Sequence, residues 1–423
     1  MKFQLAVLSL FCGASSVYSF APQQPSQRAV ASTSAFSPST LFSTAAKAEE
    51  GVATTGDDDE KHGLSPEYQT ALETAKGSIS KILAGAPEPM IESLFYFCNE
   101  YLAAHQKSNE KYSDPGSTAG ATLKMLMEGI QYGMQYGMGP NKFTFGVTHD
   151  AMRGDDEASR EAGVTLDFYK WGCDFFKHIV DLEESVLMGE DNLEKALEQA
   201  AKGENVVFFA NHQSEADPQV MSLLLEKHGH AKEASEIVFV AGHKVTTDAL
   251  AIPFSMGRNL ICIHSKKHID TDPDTKVAKS KENMRAMSGM LGKLKAGGCI
   301  LWVAPSGGRD RRNVEAGNTP IAPFDDKTID MFRLMGRKSK VPTHYYPLSM
   351  VTYELCPPPD FVEAGTGEQR NFRFTPVGVN VGDEIDAGAG DEAFKPGAFE
   401  QTKSDYFHLR ERIFPGTAPP KEE

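Results

Sequence analysis

The segment Val206–Pro218, V-V-F-F-A-N-H-Q-S-E-A-D-P, joins an apolar run to a polar loop and to the start of a helix. Five apolar residues bounded by polar ones predict a buried strand. In the loop, His212 and Asp217 stand five positions apart, and a histidine oriented by a carboxylate is suited to act as a general base. Asp-Pro is also typical of a helix start, so the spacing alone leaves a structural role open.

The order of apolar runs and helical patterns around this segment predicts the fold class. From about residue 143 short apolar runs alternate with helical patterns, which is typical of a largely parallel sheet covered by helices. We expect strands at 206–210, 236–241, 260–264, 299–304, 344–351 and 374–381. We expect helices at 192–202, 218–228 and 275–296, each closed by a glycine that suits a left-handed C-cap.

The N-terminal part differs in composition. Residues 1–48 contain no Asp or Glu, and an apolar run precedes a Ser/Thr/Ala-rich stretch, so we expect a cleavable signal followed by a plastid transit region. This resembles the two-part leader of plastid proteins in algae with complex plastids and predicts a stromal location; an ordinary secreted protein is the alternative. Residues 49–64 are expected to be a disordered acidic linker. Helical patterns at 65–83, 89–106 and 119–134 predict a small helical bundle domain over 65–145, before an α/β domain over 146–416.

Charge and hydropathy exclude several classes of partner. The formal net charge of -15 argues against a nucleic-acid partner or a general anionic-membrane surface. Beyond the leader no apolar run approaches the ~20 residues of a membrane span, so we expect a soluble chain with at most peripheral membrane contact. Cysteines without C-x-x-C spacing predict neither disulfides nor zinc and are expected in the core. His243, His264 and His344 lack metal-ligand spacing, so we interpret them as structural.

A second group of polar residues follows two other expected strands. Ligands gather beyond the carboxyl ends of strands in open α/β sheets, so these loops are expected to share a crevice with the His212 loop. Arg309 and Arg311 stand two apart after a Gly-Gly pair, which places both side chains on one side of an extended loop. With Lys267 and His268 they suit a phosphate monoester. A solvated basic turn paired with nearby aspartates is the alternative.

Other residues near these loops invite weaker hypotheses. Ser306 lacks the G-x-S-x-G elbow of a nucleophile, so we favour a loop role over catalysis. Lys266, Lys279, Lys281 and Arg285 are suited to form a basic rim for an acidic protein partner, or simply a solvated helix face.

Several long strings carry a resemblance to a known family: N-H-Q-S-E-A-D-P at 211–218, V-A-G-H-K-V-T-T-D-A-L at 240–250, P-F-S-M-G-R-N-L-I-C-I-H-S-K-K-H at 253–268 and W-V-A-P-S-G-G-R-D-R at 302–311. They closely resemble the soluble plastid glycerol-3-phosphate acyltransferases, most densely from about 192 to 359. The family combines a small helical N-terminal domain with a larger α/β domain.

The resemblance implies an activity and residue roles. The reaction is acyl transfer from acyl carrier protein, with acyl-CoA as a further possible donor, to the sn-1 hydroxyl of glycerol 3-phosphate, giving 1-acyl-sn-glycerol 3-phosphate in the first step of plastid glycerolipid synthesis. His212 and Asp217 take the catalytic pair, and Lys267, His268, Arg309 and Arg311 take the glycerol 3-phosphate contacts. No cofactor, metal or acyl-enzyme is required.

Three other functions stay open on the sequence. A 1-acylglycerol-3-phosphate acyltransferase would need a site for an existing acyl chain. A non-catalytic protein that binds a phosphorylated metabolite or acyl carrier protein would use the basic pocket without the His-Asp pair. A phosphate-ester hydrolase would need a metal site.

Overall fold

The computed structural model describes most of the chain after residue 62. Contacts group the described residues from Leu64 onwards into one compact unit. The leader and nearly all of the acidic linker that the sequence predicts lie outside the described part of the chain, as do Lys267 and His268. The described residues are 63–138, 142–265, 269, 273–313, 317–359 and 369–416.

Three helices open the described chain, at the places where helical patterns predicted them. They are α1 (Pro66–Ile82), α2 (Glu88–Tyr112) and α3 (Ala119–Gly137). Proline in the first turn starts both α1 and α2, and the side chain of Thr118 caps α3 by accepting the Ala121 N–H at 3.2 Å. Helix α2 ends six residues beyond the expected end at Gln106. The prediction stopped too early because the buried face of the helix ends at Gln106, and the last turns are solvated and polar.

An eight-stranded mixed sheet forms the centre of the remaining described residues, in the spatial order β1-β5-β4-β6-β3-β7-β8-β2. Strands β3 to β7 pair in parallel, whereas β1 is antiparallel to β5 and β8 is antiparallel to β7. The predicted class, α/β with a mostly parallel mixed sheet, is therefore confirmed. The strands are β1 (Thr148–His149), β2 (Val186–Met188), β3 (Asn205–Ala210), β4 (Val238–Gly242), β5 (Asn259–Ile263), β6 (Ile300–Val303), β7 (Thr343–Val351) and β8 (Gly378–Val381).

Two strand predictions need correction. The strand expected at 374–381 is regular only over β8, because Pro376 has no N–H to donate and Thr375 makes only an isolated bridge to Val180. The strand expected from residue 236 begins two residues later, since Glu236 ends a short helix. Strands β1 and β2 were not predicted, because two or three residues carry too little alternation to be recognised.

Helices cover both faces of the sheet, and β3 shows why. Its side chains alternate, so that Val206, Phe208 and Ala210 join one apolar cluster while Val207 and Phe209 join another. The expected helices at 192–202, 218–228 and 275–296 are present, and the glycines at 203, 229, 297 and 298 have the positive φ of a left-handed cap. The helices of this part are α4 (Glu157–Ala162), α5 (Phe168–Lys177), α6 (Glu190–Ala201), α7 (Asp217–Lys227), α8 (Ala231–Glu236), α9 (Ile252–Met256), α10 (Pro273–Ala296), α11 (Asp326–Ser339) and α12 (Asp391–Ile413).

The five cysteines of the described residues are buried, which agrees with the core positions expected from the sequence, and they are free. None of the described helices combines the length and the apolar character needed to cross a bilayer.

The sheet register brings the expected site loops to one edge. Strand β3 pairs in parallel with β6 on one side and with β7 on the other. The residues that follow Ala210, Val303 and Val351 therefore meet at the carboxyl ends of three neighbouring strands.

Candidate active site

The loop between β3 and α7 brings His212 and Asp217 into direct contact. His212 Nδ1 lies 2.7 Å from Asp217 Oδ2. An ionised carboxylate only accepts hydrogen bonds, so Nδ1 carries the proton and Nε2 is the basic nitrogen. The Asp217 side chain is fully buried, whereas 27% of the His212 side chain remains exposed. The loop therefore offers a basic imidazole nitrogen to the solvent side of the sheet edge.

Asp217 is held by donors on both of its oxygens. Oδ2 accepts the Gln213 N–H at 2.9 Å, and Oδ1 accepts the Ser214 N–H at 3.1 Å and the Ser214 hydroxyl at 3.0 Å. Thr352, directly after β7, donates its hydroxyl to Oδ1 at 2.5 Å. These donors compensate the cost of burying the carboxylate and fix the side of it that faces His212.

The structure also settles the capping alternative for Asp217. Helix α7 begins at Asp217 itself, and its N-cap residue is Ala216, whose side chain makes no capping hydrogen bond. The Asp217 carboxylate reaches back to the N–H groups of the loop, as described above, rather than forward into the helix. The position of Asp217 therefore serves the loop and His212.

The loop after β6 is fastened to the His212 loop. The Asp310 N–H donates to the His212 carbonyl at 2.6 Å, and Asn211 Nδ2 donates to Asp310 Oδ2 at 3.1 Å. Asn211 also exchanges two hydrogen bonds with the backbone of Met350 on β7. The Trp302 ring stands edge-on to the His212 ring, with centroids 5.7 Å apart. The base is thus fixed from two neighbouring strands.

Asp310 lies at the centre of this contact and is fully buried. Burial raises the pKa of its carboxyl to about 7, although the N–H groups of Ala322 and Asn211 act in the opposite direction. The sequence had suggested Asp310 only as a partner for a neighbouring arginine.

Arg309 and Arg311 flank Asp310 with partly buried side chains, while Asp310 itself points inward. Arg309 lies beside the His212 loop, because its guanidinium is 3.6 Å from a carboxylate oxygen of Glu215. Arg311 donates to the carbonyl of Pro359 at 2.5 Å. Glu215, which the sequence did not suggest, is therefore one partner of Arg309.

Glu215 belongs to the same loop as His212 and anchors a second arginine. Arg370 Nε donates to Glu215 at 2.7 Å, and its Nη2 donates to Asp248 at 2.9 Å. Burial alone would raise the pKa of Glu215, but the guanidiniums of Arg370 and Arg309 lower this pKa to about 2. Glu215 thus links the loop that carries the base to the loop that carries Arg309.

The remaining expected residues are placed as follows. Ser306 donates its hydroxyl to the carbonyl of Gly308, inside its own turn, at 3.0 Å. Lys267 and His268 lie outside the described residues. Among the positions that sequence reasoning missed, Thr352 had a usable signal, because it directly follows the carboxyl end of an expected strand; Arg370 had none.

Part of the chain matches a known family model. Residues 189–351 match the family model described as Acyltransferase. The matched range begins just before α6 and ends with β7, so it contains His212, Asp217, Arg309 and Arg311. This part of the chain is therefore similar to the Acyltransferase family.

Comparison with individual proteins gives a more specific similarity than the family model does. The chain is 39% identical over 243 residues to a chloroplastic glycerol-3-phosphate acyltransferase of Arabidopsis thaliana. The aligned region covers 57% of this chain and 50% of that protein. The chain is 38% identical over 243 residues to the protein of the same name from Spinacia oleracea, covering 57% and 49%. A third such protein, from Cucurbita moschata, is 36% identical over 283 residues, covering 64% and 61%. The chain thus spans about half the length of the first two of these relatives.

Proposed function

We propose that this protein transfers a fatty acyl group from a thioester to the sn-1 hydroxyl of glycerol 3-phosphate, giving 1-acyl-sn-glycerol 3-phosphate. The observation that carries the proposal is the His212–Asp217 pair, 2.7 Å apart, beside a loop that holds Arg309. The proposed acceptor, glycerol 3-phosphate, comes from the names of the relatives.

The chemistry follows from the orientation of the imidazole. His212 Nε2 accepts the proton of the sn-1 hydroxyl while the hydroxyl oxygen attacks the thioester carbonyl carbon. Asp217 stabilises the resulting imidazolium through Nδ1 without taking the proton. The tetrahedral intermediate then expels the thiolate, which receives the proton from His212. The products are the ester and a free thiol, and no acyl-enzyme forms.

The phosphate is assigned to the basic loops. Arg309 and Arg311 are partly buried near the His212 loop, and two guanidiniums suit the oxygens of a phosphate dianion. We assign Lys267 and His268 to the same phosphate by the resemblance of their motif. A phosphate fixed there would place the sn-1 hydroxyl within reach of His212.

The proposal is tested by replacing the base. His212→Ala should lower kcat by about 10²- to 10⁴-fold in an assay with acyl thioesters and glycerol 3-phosphate. His228→Ala is a matched control, because the His228 side chain is 25% exposed and its Nδ1 bonds only a helix carbonyl. Near wild-type turnover by His212→Ala would overturn the assignment. Acylation of 1-acylglycerol 3-phosphate instead would favour a 1-acylglycerol-3-phosphate acyltransferase, and ligand binding without turnover would favour a non-catalytic binding protein.

We propose acyl carrier protein as the acyl donor and the exposed face of α10 as the surface that binds it. Helix α10 carries six Lys or Arg residues and two acidic ones, in a chain whose net charge is -15. Val277 and Met284 on this helix are 78% and 66% exposed, and Lys281 and Arg285 are exposed beside them. A basic face with apolar side chains suits an acidic carrier protein.

Charge reversal separates the carrier from CoA. Lys281→Glu together with Arg285→Glu should raise the KM for acyl-carrier-protein thioesters several-fold and leave the KM for acyl-CoA within about twofold. Lys338→Glu on α11 is the control, since Lys338 is also an exposed helical lysine. An unchanged KM for the carrier thioester would rule out this face as the docking surface.

We further propose that the protein works in the plastid stroma. The relatives are named chloroplastic, and residues 1–48 have the composition of a two-part leader. A fluorescent protein fused behind residues 1–48 should accumulate inside plastids, and secretion of the fusion would contradict the proposal.

A further inference from the structure

Two histidines and a glutamate meet beyond the carboxyl ends of β4 and β5. One ring nitrogen of His243, one of His264 and one carboxylate oxygen of Glu282 all lie within 4.8 Å of one another. Their separations along the chain match no local ligand motif, which is why the sequence suggested a structural role for both histidines. We propose that these three side chains bind a divalent transition-metal ion of the zinc class.

The backbone explains why the two imidazoles are neighbours. Gly242 and Ile263, the last residues of β4 and β5, pair with each other in parallel register. His243 and His264 follow them directly, so both leave the sheet at the same level. Their rings stack with centroids 4.3 Å apart and planes 19° apart.

Helix α10 brings the third side chain, Glu282, to the two histidines through a contact of its neighbour Asn283. Asn283 Nδ2 donates to the His264 carbonyl at 2.8 Å, and its Oδ1 accepts the His264 N–H at 2.8 Å. This reciprocal pair fixes α10 against the end of β5. Glu282, the preceding residue, then reaches His264 Nε2 at 2.7 Å. The three groups therefore come together through backbone-level contacts, and not only through their own attraction.

The chemistry of the three groups selects the ion. Two imidazoles and one carboxylate form a ligand set suited to Zn²⁺, with a fourth position left for water. Tetrahedral bonds of about 2.1 Å require ligand atoms roughly 3.4 Å apart. Binding the ion therefore requires the two stacked rings to turn so that their ligating nitrogens point to one position.

Other histidine–carboxylate contacts of the described residues lack this arrangement. His344 faces Glu384 with Nδ1 and Glu204 with Nε2, so its two carboxylates lie on opposite sides of the ring. His230 meets Glu194 at 3.1 Å as a simple pair. His230 therefore provides a matched control with a histidine–glutamate contact.

Calorimetric titration of the full chain with Zn²⁺ tests the proposal, using chelator-treated protein without a polyhistidine tag. We expect one saturable site in the wild type. His264→Ala and Glu282→Gln should each weaken its affinity by more than about tenfold, since even the loss of an outer-shell partner costs 10- to 100-fold. His230→Gln should bind like the wild type.

The variants also protect the test against misfolding. Glu282 is 48% exposed, so Glu282→Gln should fold normally even if His264→Ala does not. Zn²⁺ should raise the Tm of the wild type and of His230→Gln, and should not raise that of Glu282→Gln. The proposal is overturned if the wild type shows no saturable site, or if Glu282→Gln keeps wild-type affinity.

Discussion

At the scale of single residues, Asp217 shows how a loop can prepare a histidine for catalysis. Besides His212, its carboxylate receives two backbone N–H groups and two hydroxyls, one of them from Thr352, directly after β7. A carboxylate with this many fixed donors does not rotate. The imidazole is therefore held in one orientation before any substrate binds, which lowers the cost of reaching the transition state.

Arg309→Ala should chiefly raise the KM for glycerol 3-phosphate. The lost charge-assisted contact is worth about 1.5 to 3 kcal/mol, which corresponds to roughly a 10- to 100-fold change. The His212 loop should keep its place, because Glu215 retains its bond to Arg370. Steady-state kinetics measure KM and kcat separately. Arg312→Ala, at the exposed neighbouring arginine, should leave KM unchanged; an unchanged KM in Arg309→Ala would make Arg309 structural.

Asp310→Asn should change how stability depends on pH. The folded-state pKa of Asp310 is raised to about 7, so between about pH 4 and 7 the folded wild type binds more protons than the unfolded chain. This group therefore costs the wild type stability as the pH rises through that window. The amide carries no such cost, so denaturant titrations at several pH values should show the unfolding free energy of the variant gaining on the wild type from pH 4 to 7. A constant difference would mean that Asp310 is already ionised.

At the scale of elements, the sequence predicts what depends on local pattern. The five parallel strands are short apolar runs, and the glycines that end three helices meet a local need for positive φ. The pattern could not reveal α12, because Pro396 lies inside that helix. It also could not reveal the bonds of Thr352 and Arg370 to the His212 loop, since these join residues more than 130 positions apart.

Gly189→Ala tests the junction between β2 and α6. Gly189 has a φ of 69°, and an added Cβ would lie 2.0 Å from the Val381 carbonyl oxygen on β8. Gly203→Ala is the control, because its φ is 85° but no atom lies within 4 Å of the added Cβ. The control should lose only the roughly 1 to 2 kcal/mol of a left-handed L residue, and Gly189→Ala clearly more. Equal losses in denaturant unfolding would show that the Val381 contact is easily relieved.

At the scale of the whole described unit, the N-terminal helices and the sheet share one apolar cluster. Leu72, Tyr101 and Leu126 of the helices belong to the same buried cluster as Phe208 of β3 and Met350 of β7. The Tyr101 hydroxyl also donates to the Phe175 carbonyl at 2.5 Å. We therefore expect the residues from about 65 to 145, although distinct in composition, to unfold together with the α/β part.

The two tryptophans of the chain allow this expectation to be tested. Trp171 packs against Tyr132 of α3, with ring centroids 5.8 Å apart, whereas Trp302 lies in the sheet beside Phe239. In Trp302→Phe the remaining tryptophan reports on the helical packing, and in Trp171→Phe it reports on the sheet. Within each variant, the fluorescence and far-UV circular dichroism transitions should coincide in denaturant, as a cooperative unit requires. If Trp171 fluorescence changes at lower denaturant than circular dichroism, the helices form an independent domain that releases first.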